Sequence, residues 1–166
     1  MTLLPPPAEA LVPQWQWFIA TWFGAGPVEP LRAGLAIAIA AIIVLPLSKT
    51  VRFAVPFFGF VILVIGVYLA STIGDASGVN DDRRIVIDEV AAFVLGVTFL
   101  RGRHWFARVA FAGLFLLIDR IKPWPFYYLE NLPSGYGVMT DDLGPALLLG
   151  LVFYFALSLW DKARKA

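Results

Sequence analysis

Three short stretches of a very apolar chain carry acids at spacings that could do chemistry. Ile85–Val90 holds Asp88 and Glu89, Leu117–Pro125 holds Asp119 and Lys122, and Gly135–Asp142 ends in Asp141 and Asp142. Asp81 and Asp82 come about two helical turns before the first pair. A carboxylate at the edge of hydrocarbon costs a few kcal/mol unless it is paired, hydrated or bound to a metal, so acids gathered at one depth read as a site. The chain has no cysteine and a single histidine, and oxygen donors of this kind favour a hard cation. Mg2+ fits best, because it keeps several waters and bridges a few carboxylates to a phosphate. The metal candidates are therefore Asp81, Asp88, Glu89, Asp141 and Asp142. Lys122 supplies a compact cation for a phosphate oxygen. Gly135 and Gly137 permit close backbone approach, and their amides are candidates to hold an anion. Taken singly, Asp141–Asp142 also reads as an N-cap and Asp81–Asp82 as a polar loop with Arg83 and Arg84. Asp88 and Glu89, one turn into an apolar run, have no such ordinary explanation.

These residues must be positioned by helices. A membrane crossing takes about 20 apolar residues as a helix. Five stretches approach this: Gly34–Leu47, Phe53–Ile73, Ile85–Leu100, Trp105–Ile118 and Leu143–Trp160. The expectation is an all-α, polytopic membrane helix bundle of about five transmembrane helices. An N-terminal interfacial helix within Ala10–Phe23 precedes them, since Trp15, Trp17 and Trp22 suit the headgroup level. The chain reads as one membrane-embedded domain over 1–166. Residues 1–30 form the N-terminal segment, 31–160 the bundle with site loops at 74–89 and 119–142, and 161–166 a basic tail. Met1–Ala10 has no basic residue before an apolar run, so no cleaved signal peptide is expected.

Composition supports this. Of the 166 residues, 60% are hydrophobic and 15% charged, against roughly 45–50% and 25% in soluble domains. The net charge of +1 implies no nucleic-acid partner. The absence of cysteine excludes thiol catalysis and Cys-ligated zinc. With five crossings, eleven of the twelve acids fall on one face, and Asp161 alone lies on the other. His104 on that other face reads as an interfacial residue. The Gly135-Tyr136-Gly137 stretch lacks the pore-helix context of a channel filter.

Asp81-Asp82-Arg83-Arg84-Ile85-Val86-Ile87-Asp88-Glu89, Ile118-Asp119-Arg120-Ile121-Lys122-Pro123-Trp124-Pro125 and Ser134-Gly135-Tyr136-Gly137-Val138-Met139-Thr140-Asp141-Asp142 occur in this order. Together they resemble the phosphatidylglycerophosphatase A family, over roughly Asp81–Ala146. The resemblance implies a magnesium-dependent phosphatase of the bacterial inner membrane. Its reaction would turn phosphatidylglycerophosphate, a phospholipid substrate, into phosphatidylglycerol. Carried over by position, the candidates are Asp81, Asp88, Glu89, Asp119, Lys122, Asp141 and Asp142. On this reading Asp88, Glu89 and the Asp141–Asp142 pair hold Mg2+, and Asp119 orients water or adds a ligand. Lys122, Arg120 and the Gly135 and Gly137 amides bind phosphate, and Asp142 joins the catalytic set. The chain departs from the family pattern at Ala92, Leu116 and Pro145–Ala146. It also departs in the family's N-terminal Gly-rich stretch with its Pro-Gly-Thr element, which survives only as Thr21-Trp22-Phe23-Gly24-Ala25-Gly26-Pro27 and then diverges through Arg32-Ala33-Gly34.

Those departures keep a second class open, a catalytically altered relative that binds lipid or an ion, or serves as a scaffold. A small-solute carrier is a third. Orientation is contested as well. The positive-inside rule favours the face with eight of the thirteen bases as cytoplasmic. The resemblance puts the acidic face there. The oligomeric state is not legible.

Overall fold

The computed structural model describes residues 12–50, 53–79 and 81–165, with backbone alone at 47–50. The readings of Met1–Ala10 and of the Lys49 and Arg52 side chains lie outside the described residues. Every regular element among those described is helical, with no strand. In order they are α1 (Gln14–Ala20), α2 (Arg32–Thr50), α3 (Ala54–Ser77), α4 (Ile87–Val97), α5 (Trp105–Ile121) and α6 (Gly135–Ala163). 3-10 segments of one and two turns cover Thr98–Leu100 and Phe126–Asn131.

α3 and α6 are long and apolar enough to cross a membrane. Their large side chains, among them Phe57, Phe60, Tyr68, Leu148, Val152 and Phe155, are exposed, the reverse of a helix in a soluble core. α2 is apolar over a shorter stretch, Arg32–Pro46. The span expected at Ile85–Leu100 takes a different form. It becomes the 11-residue α4, about half the length that hydrocarbon requires. It is buried among its neighbours on nearly every side. Its Ala91, Ala92 and Gly96 admit the other helices closely. A Cβ at Gly96 would come 2.8 Å from the Ala146 carbonyl oxygen, and one at Gly150 would come 2.6 Å from the Gly96 oxygen. α4 and α6 thus meet backbone to backbone, the small-residue contact that holds helices together where lipid removes the hydrophobic drive. Phe93, Phe111 and Phe115 fill the space beside this crossing.

α6 begins earlier than the acid pair suggests. It opens at Gly135, so Asp141 and Asp142 lie about two turns inside it and are not its N-cap. The physical reason is packing against α3. The Gly135 N–H donates to Ser71 Oγ at 2.9 Å, and a Cβ there would lie 2.3 Å from the Val67 oxygen.

The N-terminal segment is built into the fold. Trp17 and Trp22 are buried, whereas Trp15 is exposed. The Arg84 guanidinium stacks 4.5 Å above the Trp17 ring and is held by both oxygens of Asp82, at 2.9 and 2.8 Å. The Val86 N–H donates to the Ala20 oxygen. Gly26 lies so close to Arg84 that a Cβ would sit 1.8 Å from its carbonyl oxygen. These contacts fix the 81–86 loop that leads into α4.

Candidate functional site

α4 enters the bundle with Asp88 and Glu89 in its first turn, and α6 passes alongside with Asp142. One carboxylate oxygen from each of these three residues lies within 4.8 Å of the others. The three are 8, 7 and 3% exposed. Asp88 Oδ1 and Glu89 Oε2 have no hydrogen-bond partner. Orphaned buried carboxylate oxygens are costly, and three acids converging in a low-dielectric interior repel one another. A cation offsets both penalties, and an all-oxygen donor set suits a hard one. The cluster could hold a metal ion.

A cavity of about 410 Å³ opens over the cluster. Asp88, Glu89 and Asp142 lie on its wall with Asp81 and Asp119, while Arg32, Arg83, Arg120 and Lys122 bring positive charge to the same space. Its chemistry is bipolar, with recessed oxygen donors for a cation and guanidinium and ammonium groups for an anion. That combination suits a phosphate ester bound between a cation and basic side chains.

Lys122 ends α5 in a left-handed backbone conformation (φ 43°) and caps the helix through its N–H to the Ile118 oxygen. Its Nζ donates to Asp141 Oδ2 at 2.5 Å and to Glu130 Oε1 at 2.7 Å. Burial alone would lower the pKa of this ammonium. The hydrogen bonds to Asp141 and Glu130 outweigh it and hold the pKa well above the ordinary lysine value. Asp141 lines an adjoining cavity and not the main one. It fixes Lys122 with one oxygen and accepts the Asp142 N–H with the other, at 2.9 Å.

The structure thus gathers Asp81, Asp88, Glu89, Asp119, Arg120, Lys122 and Asp142 around one cavity. It does not bring Gly135 or Gly137 there. Their amides are spent inside the fold, on Ser71 Oγ and on the Ser134 oxygen, and both glycines are buried against backbone. Close packing is what demands glycine at these positions. Three site residues were not among the sequence candidates: Glu29 and Arg32, which line the cavity from the N-terminal side, and Glu130, the second partner of Lys122. Only Arg32, a charge opening an apolar run, could have been suspected.

Of the positions that depart from the family pattern, Ala92, Leu116 and Pro145 pack among the helices, and none lines the cavity. The N-terminal departure does line it, through Arg32 and Ala33.

A family profile described as Phosphatidylglycerophosphatase A matches residues 18–157. A Haemophilus influenzae protein named Phosphatidylglycerophosphatase A is 30% identical over 146 residues, covering 86% of this chain and 88% of its own. An Escherichia coli protein of the same name is 29% identical over 148 residues, with 86% and 83% covered. A Bacteroides thetaiotaomicron protein named "Putative phosphatidylinositol-3-phosphatase" is 33% identical over 137 residues, with 75% and 82% covered. No solved structure matches the chain.

Proposed function

The chain belongs to the phosphatidylglycerophosphatase A family, and from that premise we propose that it cleaves the terminal phosphomonoester of phosphatidylglycerophosphate to give phosphatidylglycerol and inorganic phosphate, with Mg2+ at Asp88, Glu89 and Asp142. The enzyme class, a phosphoric monoester hydrolase, accords with the names of all three relatives. The observation that carries the reading is the single cavity in which three buried acids face Arg32, Arg83, Arg120 and Lys122.

Asp88, Glu89 and Asp142 would hold the cation, and Asp81 lines the same cavity. A cation bound there would supply Lewis acidity toward a phosphate ester. Asp119 orients the attacking water and accepts its proton as the water oxygen bonds to phosphorus. The bond from phosphorus to the glycerol oxygen breaks, and that oxygen takes a proton from water in the cavity, while Asp119 returns its own to solvent. Lys122 and Arg120 balance the charge on the equatorial oxygens. No cysteine is present, and direct attack by water requires no protein nucleophile.

The chain is a membrane protein, and we place it as multi-pass in the bacterial inner membrane with the cavity on the cytoplasmic side. The exposed apolar faces of α3 and α6 support the membrane setting. In a reading with about five crossings, the third is α4 with the Thr98–Leu100 turn, which is enclosed by other helices rather than by lipid and so is not held to the full hydrocarbon length. The arginines and Lys122 around the cavity serve phosphate and so report poorly on topology.

A silent, lipid-binding relative is the competing reading, but the packing positions of Ala92, Leu116 and Pro145 favour an active enzyme. Purified protein in detergent, given phosphatidylglycerophosphate and Mg2+, is expected to yield phosphatidylglycerol and phosphate in equal amounts. Lipid binding without phosphate release would favour the silent relative.

A further inference from the structure

α5 and α6 are antiparallel neighbours joined near both ends by ion pairs. Arg103 meets Asp161 at one end, and Lys122 meets Asp141 and Glu130 at the other, beside the cavity. Exposed aromatic residues flank each junction. At the first, Trp105 and Trp160 are 56 and 63% exposed, and at the second, Trp124 and Tyr128 are 74 and 55% exposed, with the Tyr127 ring packed on Tyr128. Trp124, Tyr127 and Tyr128 belong to the segment between α5 and α6, and its other side is built into the protein. A Cβ at Gly144 of α6 would lie 2.8 Å from the Phe126 ring and 3.2 Å from Leu129 Cδ1, and Glu130 accepts a hydrogen bond from Lys122 Nζ. The segment thus has one face fixed to the site and one exposed aromatic face.

The two aromatic levels are equally far apart on both helices. α5 from Trp105 to Ile121, and α6 from Gly144 to Trp160, each make about 24 Å of helix axis. Between these levels α6 exposes Leu148, Val152 and Phe155. A hydrocarbon layer is about 30 Å thick, and modest local thinning accommodates a span a few ångströms shorter. Trp and Tyr concentrate at the two edges of that layer, with the ring against apolar matter and the polar tip in the headgroups.

We propose that Trp124, Tyr127 and Tyr128 form a docking surface for the phospholipid headgroup layer, which holds the cavity at the depth of the lipid phosphates. The surface is separate from the reaction proposed above, since none of its three residues lines the cavity. Lys122 lies two residues before Trp124, and Asp142 lies two residues before Gly144, where Phe126 and Leu129 pack. With the aromatic face in the headgroup layer, both therefore stand near the edge of the hydrocarbon. A lipid phosphate then reaches the cavity by lateral movement within its own leaflet and is not lifted out of the bilayer.

The test uses the full chain in vesicles of phosphatidylcholine and phosphatidylglycerol. Trp124 is one of six tryptophans, and the emission that Trp124→Phe removes from the wild-type spectrum isolates its ring. That difference emission should fall by at least about half with lipids brominated high on the acyl chain, near the glycerol. It should fall clearly less with lipids brominated at the chain end or with aqueous iodide. Strong iodide quenching would put the segment in water, stronger quenching from the chain end would put it deep in hydrocarbon, and no quenching would mean that protein covers it. Each of these overturns the proposal. A second arm, which does rest on the proposed reaction, uses the Trp124→Ala, Tyr128→Ala double variant. Its kcat/KM for long-chain phosphatidylglycerophosphate in the same vesicles should fall about tenfold, and for a water-soluble short-chain form it should change less than about twofold. Equal losses with both substrates, or none with either, would overturn the docking role. Wild-type protein that releases no phosphate would overturn the proposed reaction and leave the quenching result to decide the docking surface.

Discussion

The Lys122 ammonium lies 2.5 Å from Asp141 Oδ2, and the other oxygen of Asp141 accepts the N–H of Asp142. One lysine at the end of α5 therefore organises the α6 acids while bordering the cavity that Asp142 shares with Asp88 and Glu89. The ammonium stays charged through any practical pH, because its hydrogen bonds to Asp141 and Glu130 outweigh the effect of burial.

Lys122→Ala should lower kcat/KM for phosphatidylglycerophosphate by about 100-fold or more, the scale seen when one donor to a developing oxyanion is removed. Lys122→Arg should recover only part, because a planar fork cannot bridge Asp141 and Glu130 as a compact ammonium does. Glu130→Gln leaves Asp141 in place and should cost only a few-fold. Initial rates of phosphate release would check all three. An active Lys122→Ala variant would remove Lys122 from the phosphate site.

Asp88→Asn and Glu89→Gln each remove a charge from a buried acidic cluster. In EDTA both variants should melt at or above the wild-type temperature, since they relieve repulsion that only a cation offsets. Adding Mg2+ should raise the wild-type Tm, with about 2.7 kcal/mol of stabilisation at 100 times the dissociation constant. The double variant should show no such rise. Thermal melts in detergent decide this. An equal Mg2+ response in the double variant would place the ion elsewhere.

Gly135→Ala separates packing from anion binding. The added methyl would meet the Val67 oxygen at 2.3 Å and the Ser71 nitrogen at 2.8 Å, so overpacking should cost roughly 1–3 kcal/mol. Ser71→Ala, which takes away the acceptor of the Gly135 N–H, should cost about 1 kcal/mol. In the folded fraction of both variants KM should stay within about twofold of wild type. A large rise in KM at unchanged stability would return the Gly135 amide to the phosphate site.

Orientation can be read from Ser134, which is exposed beside the start of α6. The chain has no native cysteine, so Ser134→Cys gives a single label. In sealed inner-membrane vesicles the thiol should react with an impermeant maleimide only when the cytoplasmic side faces the reagent. Labelling from the opposite side alone would place the cavity outside the cytoplasm, as the charge count by itself suggests.

Much of the helical content was legible, because long apolar runs such as Phe53–Ile73 admit few other structures in a membrane. The meeting of Asp88, Glu89 and Asp142 follows from the same logic, since acids in an apolar bundle collect where helices bring them to a common depth. The short α4 was not legible. A continuous apolar run is the same pattern whether it faces lipid or is enclosed by other helices, and only the Gly96–Gly150 contact distinguishes the two. The start of α6 was obscured because Gly135-Tyr136-Gly137 has the composition of a loop, while its glycines serve a contact with α3 far away in sequence. Trp17 and Trp22 look interfacial by type, yet both are buried, Trp17 beneath Arg84 of the 81–86 loop. Arg32 and Glu130 entered the site through contacts that no local spacing encodes.

The most direct test is phosphate release from phosphatidylglycerophosphate by wild type and by Asp88→Asn, each with Mg2+ and with EDTA. Wild type should turn over only with Mg2+, EDTA should abolish the rate reversibly, and Asp88→Asn should fall at least about 100-fold while remaining folded. Equal rates in EDTA and Mg2+, or a folded Asp88→Asn protein with near-normal turnover, would contradict a metal–phosphate site at Asp88, Glu89 and Asp142.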